Sequence, residues 1–407
     1  MFRRISSLLM STKSYWRTAS FAEMAQLYAS RFIRIVAQGL IGSFVLIILY
    51  QKGYPVIDLF LILVVYYAFR VLMSILSAYI VAWFGPKRTM LLSNLTAIPA
   101  FVSLSMIEIY GFESVVGFFA FEAVSLSLLL ISTDVQFSSI KNINAAGREL
   151  AWMRTAERIA AGISPAIGGI LAYRFTPESV MWIAALLIVV SAMPLFGTAE
   201  SIQNHQRIVF RGLPWKKLWR QFRMAAANGG DITINSSIWP LFIAIAIFGT
   251  QDSRVYMELG FMFSLSVFAS LIISRIYGVL IDSKKGRELF FFGVGTSALI
   301  HVLRPFVSTP LGAGAMNVAN EVGLSAYAMP FIRAQYDVPD SVPGYRVVYF
   351  ALLAAFQYLG AMLFIAFGAL LVWKFGEVNG MQLMFIAAAL MYLFYLNNGF
   401  PSLRVRR

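Results

Sequence analysis

The chain has 407 residues, 59% hydrophobic and 13% charged, against roughly 45–50% and about 25% in soluble domains. With a mean hydropathy of +0.74, it is expected to be an all-α membrane protein and not to fold around an aqueous core. The net charge is +14, there is no cysteine, and the two histidines are His205 and His301, which removes disulfides, thiolate or histidine-rich metal sites and cysteine nucleophiles. Met1–Ser20 mixes Arg3, Arg4, Lys13 and Arg17 with Phe2, Leu8, Leu9 and Trp16. Its apolar run is too short for a secretory signal, so it reads as an amphipathic segment lying on the membrane surface, with a disordered tail as the alternative. Twelve apolar stretches of about 20 residues follow, over 31–50, 57–82, 89–109, 114–135, 151–173, 179–198, 231–250, 255–280, 289–306, 310–330, 346–373 and 379–400. Backbone groups in lipid must be satisfied within the segment, so these are expected to be helices.

Lysine and arginine set the orientation. With twelve spans, 27 basic residues fall on the side of the two termini; Lys52, Arg174, Arg254, Arg304 and Lys374 fall on the other, and Arg70 lies inside span two. Both termini are therefore expected in the cytoplasm of a cell or bacterial inner membrane. The positive excess is a topology and lipid-headgroup feature, not a nucleic-acid patch. The stretch 199–230, with Arg207, Arg211, Lys216, Lys217, Arg220 and Arg223, is the one long linker. It divides an N-terminal segment (1–30) and a six-span bundle (31–198) from a second bundle (231–400) and a tail (401–407). Six-plus-six spans with a midplane site between parallel halves is a known transporter plan.

Two motifs carry a family resemblance. The loop after span eight reads Gly278-Val-Leu-Ile-Asp282-Ser-Lys284-Lys285-Gly286-Arg287. Its counterpart after span two, ending Gly85-Pro86-Lys87-Arg88, has Ala82 at the acidic position. Span five contains Ala161-Gly162-Ile163-Ser164-Pro165-Ala166-Ile167-Gly168-Gly169. Over nearly its whole length the chain resembles the major facilitator superfamily of secondary transporters. The resemblance implies two pseudo-symmetric six-helix bundles, with helices one, four, seven and ten around a central cavity. The span-five segment looks like one associated in the family with exporters and proton antiporters, although small residues and Pro165 also serve plain close packing. Asp282 and Arg287, with Gly278, Gly286, Gly85, Lys87 and Arg88, are expected to gate the halves, Asp282 by pairing with an arginine or with helix-terminal N–H groups, or else to form an exposed ion pair of little worth.

Ionisable groups deep in a bilayer are costly and are functional candidates by default. Arg70, Glu122 and Glu321 are the three deep ones. By the resemblance, Glu122 (span four) and Glu321 (span ten) lie on facing cavity helices, joined by Gln38, Asn235, Trp239, Asn317 and Asn320. Glu321 is the expected main proton or substrate site and Glu122 the secondary one. The alternative for Glu122 is a buried ion pair with Arg70. Asp231 reads as a helix N-cap, and His301 and Arg304 as groups near the outer interface.

No Walker sequence, H-E-x-x-H or aspartate-rich diphosphate site occurs, so no enzyme and no cofactor are expected. The reading is a monomeric secondary active transporter of a small solute, proton-coupled, tilted towards export of amphipathic compounds. An uptake symporter for a polar metabolite, a flippase for lipids or lipid-linked glycans, and a non-transporting scaffold or receptor are the alternatives.

Overall fold

A computed structural model describes residues 21–139, 146–196, 208–249, 253–282, 285–339 and 344–397, with Val342, Phe400 and Leu403. The amphipathic segment expected over Met1–Ser20 lies outside the described residues, as do the first part of the expected linker and most of the tail. No strand occurs among the described residues.

The helices follow one another with short turns. Helix α1 (Phe21–Ile41) continues through a 3₁₀ turn at Gly42–Phe44 into Val45–Gln51. Then come α2 (Val56–Phe84), α3 (Pro86–Ser105), α4 (Phe112–Ser139), α5 (Ala146–Arg174) and α6 (Pro177–Phe196). Helix α7 (Trp215–Thr233) runs on through π turns at Ile234–Ile238 and Ala244–Phe248 on either side of Trp239–Ile243. Pro240 has no N–H to give to the preceding turn, and the helix widens beside it. Helices α8 (Arg254–Asp282), α9 (Gly286–Leu303), α10 (Pro310–Asp337), α11 (Arg346–Phe375) and α12 (Glu377–Met391) complete the order. The α2–α3 turn is a single residue: Gly85 adopts φ 85° and Pro86 opens the next helix, the glycine supplying a left-handed backbone and the proline a pre-set helical one.

Among the described residues, nine of the helices are long and apolar enough to cross a membrane, and the chain is an integral membrane protein. Helices α3, α5 and α10 fall short of that apolarity because of their polar groups, among them Ser93 and Asn94, Glu157 and Arg158, and Asn317, Asn320 and Glu321. Two boundaries differ from those expected. Helix α7 begins at Trp215, so half of the stretch read as linker is helical; its basic residues lie on an amphipathic turn that leads into the apolar run. Helix α1 likewise starts at Phe21 and not near residue 31.

Packing repeats at an offset of six helices. The pairs α3–α4, α1–α6, α3–α6, α1–α5 and α2–α4 in the first half recur as α9–α10, α7–α12, α9–α12, α7–α11 and α8–α10 in the second. The two most extensive contacts between the halves, α2–α11 and α5–α8, are each other's counterparts under the same offset. Gly168 of α5 faces Leu40 of α1, where an added Cβ would lie 1.9 Å from the Leu40 carbonyl oxygen. Gly169 faces α8, its Cβ position 2.2 Å from the Tyr256 carbonyl oxygen. Adjacent glycines thus let α5 touch both halves backbone to backbone.

Candidate functional site

A cavity of about 290 Å³ opens between the halves, lined from α2 by Tyr67 and Arg70, from α4 by Leu126, Leu129, Leu130, Thr133 and Asp134, and from α11 by Gln357 and Tyr358, with Arg31, Gly229, Ile232 and Ala361 completing it. Its size sits at the lower edge of the roughly 300–1,000 Å³ of small-molecule pockets. Arg70 is its distinctive member. It is buried, donates through one terminal nitrogen to the Tyr66 hydroxyl at 3.2 Å and through the other to Tyr358 of α11, and its guanidinium lies 3.9 Å from the Tyr358 ring centre. Tyr67 stacks on Tyr358 with centroids 6.3 Å apart. Arg31 is neutralised by Glu157 at 2.5 Å and also donates to Thr133 at 2.7 Å. Asp134 accepts from Tyr336 of α10 at 2.8 Å.

Behind the cavity each half holds a buried polar cluster, and the two clusters use equivalent helices. In the first, Arg34 of α1 donates to Ser93 (2.8 Å) and Asn94 of α3 and to Ser125 of α4 (2.6 Å). Asn94 in turn reaches the Ser191 carbonyl of α6 at 3.3 Å. Gln38 donates to Glu122 Oε1 at 3.2 Å, while Glu122 Oε2 is buried without a partner. Glu122 lies within electrostatic range of Arg34 and Arg70. No ion pair joins it to Arg70, whose terminal nitrogens are directed to tyrosines, so the expected alternative of an Arg70–Glu122 pair does not form.

The second cluster lies on α7, α9, α10 and α12. Asp231 Oδ1 accepts from Tyr392 (2.8 Å) and Asn235 (3.1 Å) and contacts His301 Nε2 at 2.8 Å; Oδ2 accepts from Tyr327 at 2.5 Å. Arg304 contacts His301 Nδ1 at 3.0 Å and donates to Asn235 Oδ1 at 2.7 Å. A guanidinium can only donate, so Nδ1 accepts and Nε2 carries the proton given to Asp231. The cation of Arg304 lies 4.8 Å from the Trp239 ring, and Trp239 donates to Asn317 at 2.5 Å. The reading of Asp231 as an N-cap is overturned: it lies well inside helical α7. His301 and Arg304 lie at the end of α9, as expected, and are buried there with Asp231 and Asn235 as partners.

Of the residues expected to line the cavity, Gln38, Glu122, Asn235, Trp239, Asn317, Asn320 and Glu321 are all absent from this one, whereas Arg70, assigned to structure, is present. Asn235, Trp239 and Asn317 instead belong to the second cluster, where Trp239 packs on Phe242 and Phe385. Asn320 is buried on α10. Glu321 beside it is half-buried, and the charge nearest in effect is Arg158 of α5. Of the expected gating residues, Gly85 makes the α2–α3 turn, Lys87 is buried beyond it and Arg88 exposed. Gly286 opens α9, and Arg287 lies 5.6 Å from the Phe291 ring. Pro165 packs its carbonyl against Gly260 of α8. Gly278 and Asp282 belong to helix α8, but the side chain of Asp282 lies outside the described residues. The missed residues are Tyr358, the cross-half partner of Arg70, and the Asp231–His301 pair. Only the three-residue spacing of His301 and Arg304 and the four-residue spacing of Asp231 and Asn235 signalled shared helix faces.

Comparison with known proteins adds a family and a fold. The family model described as Major Facilitator Superfamily matches residues 27–365. No curated protein matches the chain. Among solved structures, that of the nucleoside transporter NupG is similar, with a TM-score of 0.68 at 10% identity, covering 92% of this chain and 98% of the other.

Proposed function

The chain belongs to the Major Facilitator Superfamily, and from that premise we propose that α1–α6 and α7–α12 are two six-helix bundles that rock about a shared site, moving a small solute across the membrane with proton coupling. The chain is a secondary transporter by family. The observation that carries the mechanism is the relation between the two inter-half contacts. Helix pairs α2–α11 and α5–α8 exchange under the same offset that maps one half onto the other, and the cavity lies between the halves. A pair of equivalent interfaces allows one to loosen as the other tightens, which is the requirement for alternating access. The protein acts as a monomer in the plasma or bacterial inner membrane, with its basic loops and termini in the cytoplasm.

Proton coupling is assigned to Glu321, with Glu122 in support. Glu122 holds a buried oxygen with no partner, and Glu321 sits near Arg158 on the α5 side. A carboxyl so placed can gain and lose a proton as its surroundings alternate between halves. The glycines of α5 that tilted the sequence reading towards export are used in contacts with α1 and α8, so they assign no direction. The cavity volume favours a small solute over a lipid-linked glycan. At 10% identity the nucleoside of the similar structure is not carried over.

The test is purified protein in liposomes containing a pH dye, challenged with a panel of solutes. Solute-dependent proton movement above that of empty liposomes is expected. Glu321→Gln should abolish it while leaving exchange of labelled for unlabelled solute. Proton movement unchanged in Glu321→Gln would remove that residue from the coupling, and no movement with any solute would remove the coupling itself.

A further inference from the structure

We infer that Arg70 is the anion-receiving group of the cavity and that the solute is a small organic anion, an acidic group carried on an apolar body; this rests on the transport reading above and names its substrate class. Arg70 is 8% exposed, and no carboxylate among the described residues pairs with it. Its neighbours in the cavity are differently placed. Arg31 is already paired with Glu157, and Asp134 accepts from Tyr336. Glu122, the acid nearest in effect, is bound by Gln38 and makes no ion pair with Arg70. Two terminal N–H bonds of Arg70 go to phenol oxygens, and its Nε is buried without any partner.

A guanidinium has five N–H donors in a planar fork suited to an oxyanion. Burying one without a counter-charge is costly unless a partner arrives to complete it. Stability alone gives no reason to keep such a group at the edge of a cavity between moving halves, whereas an incoming carboxylate would complete its donor set. The rest of the lining fits the other end of such a molecule. Leu126, Leu129 and Leu130 form an apolar wall, and the stacked Tyr67 and Tyr358 rings form a second.

The arrangement also ties binding to movement. Tyr358 belongs to α11 and Arg70 to α2, so their hydrogen bond crosses between the halves. An anion that takes the same N–H group displaces the tyrosine hydroxyl and releases that link. Substrate arrival and loosening of the α2–α11 contact then become one event.

Titration of the purified full chain, followed by thermal shift without any gradient, tests this with benzoate, its neutral isostere benzamide, and inorganic phosphate. Saturable stabilisation is expected with benzoate, none with benzamide, and a weaker effect with phosphate, which has no apolar body for the leucine wall. Arg70→Gln should weaken benzoate about tenfold, the loss of one charge-assisted contact. Tyr358→Phe removes the competing hydroxyl and should tighten benzoate about threefold, a gain of the order of one modest hydrogen bond. That gain is one a merely structural tyrosine would not give. Benzamide equal to benzoate, no saturable benzoate effect, or a folded Arg70→Gln with unchanged affinity would each overturn the assignment; phosphate as tight as benzoate would overturn the apolar body. Should Arg70→Gln not fold, the benzamide comparison and Tyr358→Phe decide. Because no flux is measured, failure here leaves the transport reading standing, whereas benzoate binding without any flux would leave Arg70 an anion site and remove its anion as a transported solute.

Discussion

Asp231 shows how one buried charge organises half of the molecule. Its two oxygens serve His301, Tyr327, Tyr392 and Asn235, drawn from α7, α9, α10 and α12. A carboxylate in that position is held by its partners, and removing it leaves two phenols and the His301 imidazole without their acceptor. Asp231→Ala is therefore expected to cost about 3–5 kcal/mol, the penalty for breaking a buried charged network, read as a large fall in thermal midpoint in detergent. Little of this was legible beforehand. At the start of an apolar run Asp231 read as a cap, Asp231 and His301 are 70 residues apart, and only the fold brings α7 and α9 together. Arg70 was legible as an anomaly within span two, because a charge in an apolar run is visible by contrast. Its partner Tyr358, 288 residues away, was not, since a tyrosine among so many aromatic residues carries no distinguishing signal.

At the scale of elements, apolar runs marked the helices well and their polar ends poorly. Eighteen to thirty apolar residues identify a membrane helix whatever its neighbours. The start of α7 was misplaced because basic and aromatic residues over Trp215–Arg223 read as linker, although the backbone there is already helical. Glycines offer a clean test of which contacts matter. Gly168→Ala would set a Cβ 1.9 Å from the Leu40 carbonyl oxygen, against backbone that cannot rotate away. Forcing α1 and α5 apart should cost about 1–3 kcal/mol. Gly295 of α9 faces open space, so Gly295→Ala should stabilise by about 0.5–1 kcal/mol through helix propensity alone. Opposite signs in thermal midpoint for the two alanines are the expected result; equal stabilisation would mean that helix propensity, not close approach, governs α5.

Across the whole molecule, the two halves are tied together at both faces. On one, Tyr50 and the Val56 backbone N–H donate to Glu377 at 3.0 and 3.1 Å, and Tyr256 donates to Gln51. Towards the other, Tyr336 donates to Asp134 at 2.8 Å. These are single hydrogen bonds of modest net worth each, suited to forming and breaking in turn, whereas the Asp231 and Arg34 clusters each lie within one half. Span count and the near-equal halves pointed to a six-plus-six plan, and the helix pairs that recur at an offset of six are in keeping with it. Which residues bridge the halves was not legible, because a bridging contact depends on relative tilt, which sequence periodicity does not encode.

Alternation of two rigid halves is the central claim, and pulsed electron paramagnetic resonance on spin-labelled cysteine pairs tests it most directly, the chain having no native cysteine. One pair takes the exposed Tyr110 and Leu311, each at the turn that leads into the fourth helix of its half; the other takes the exposed Phe84 and Glu288 at the opposite face. Each pair should show two populated distances, and benzoate should shift the two pairs in opposite senses, one face closing as the other opens. A single distance in both pairs, unmoved by benzoate or by pH, would contradict the account.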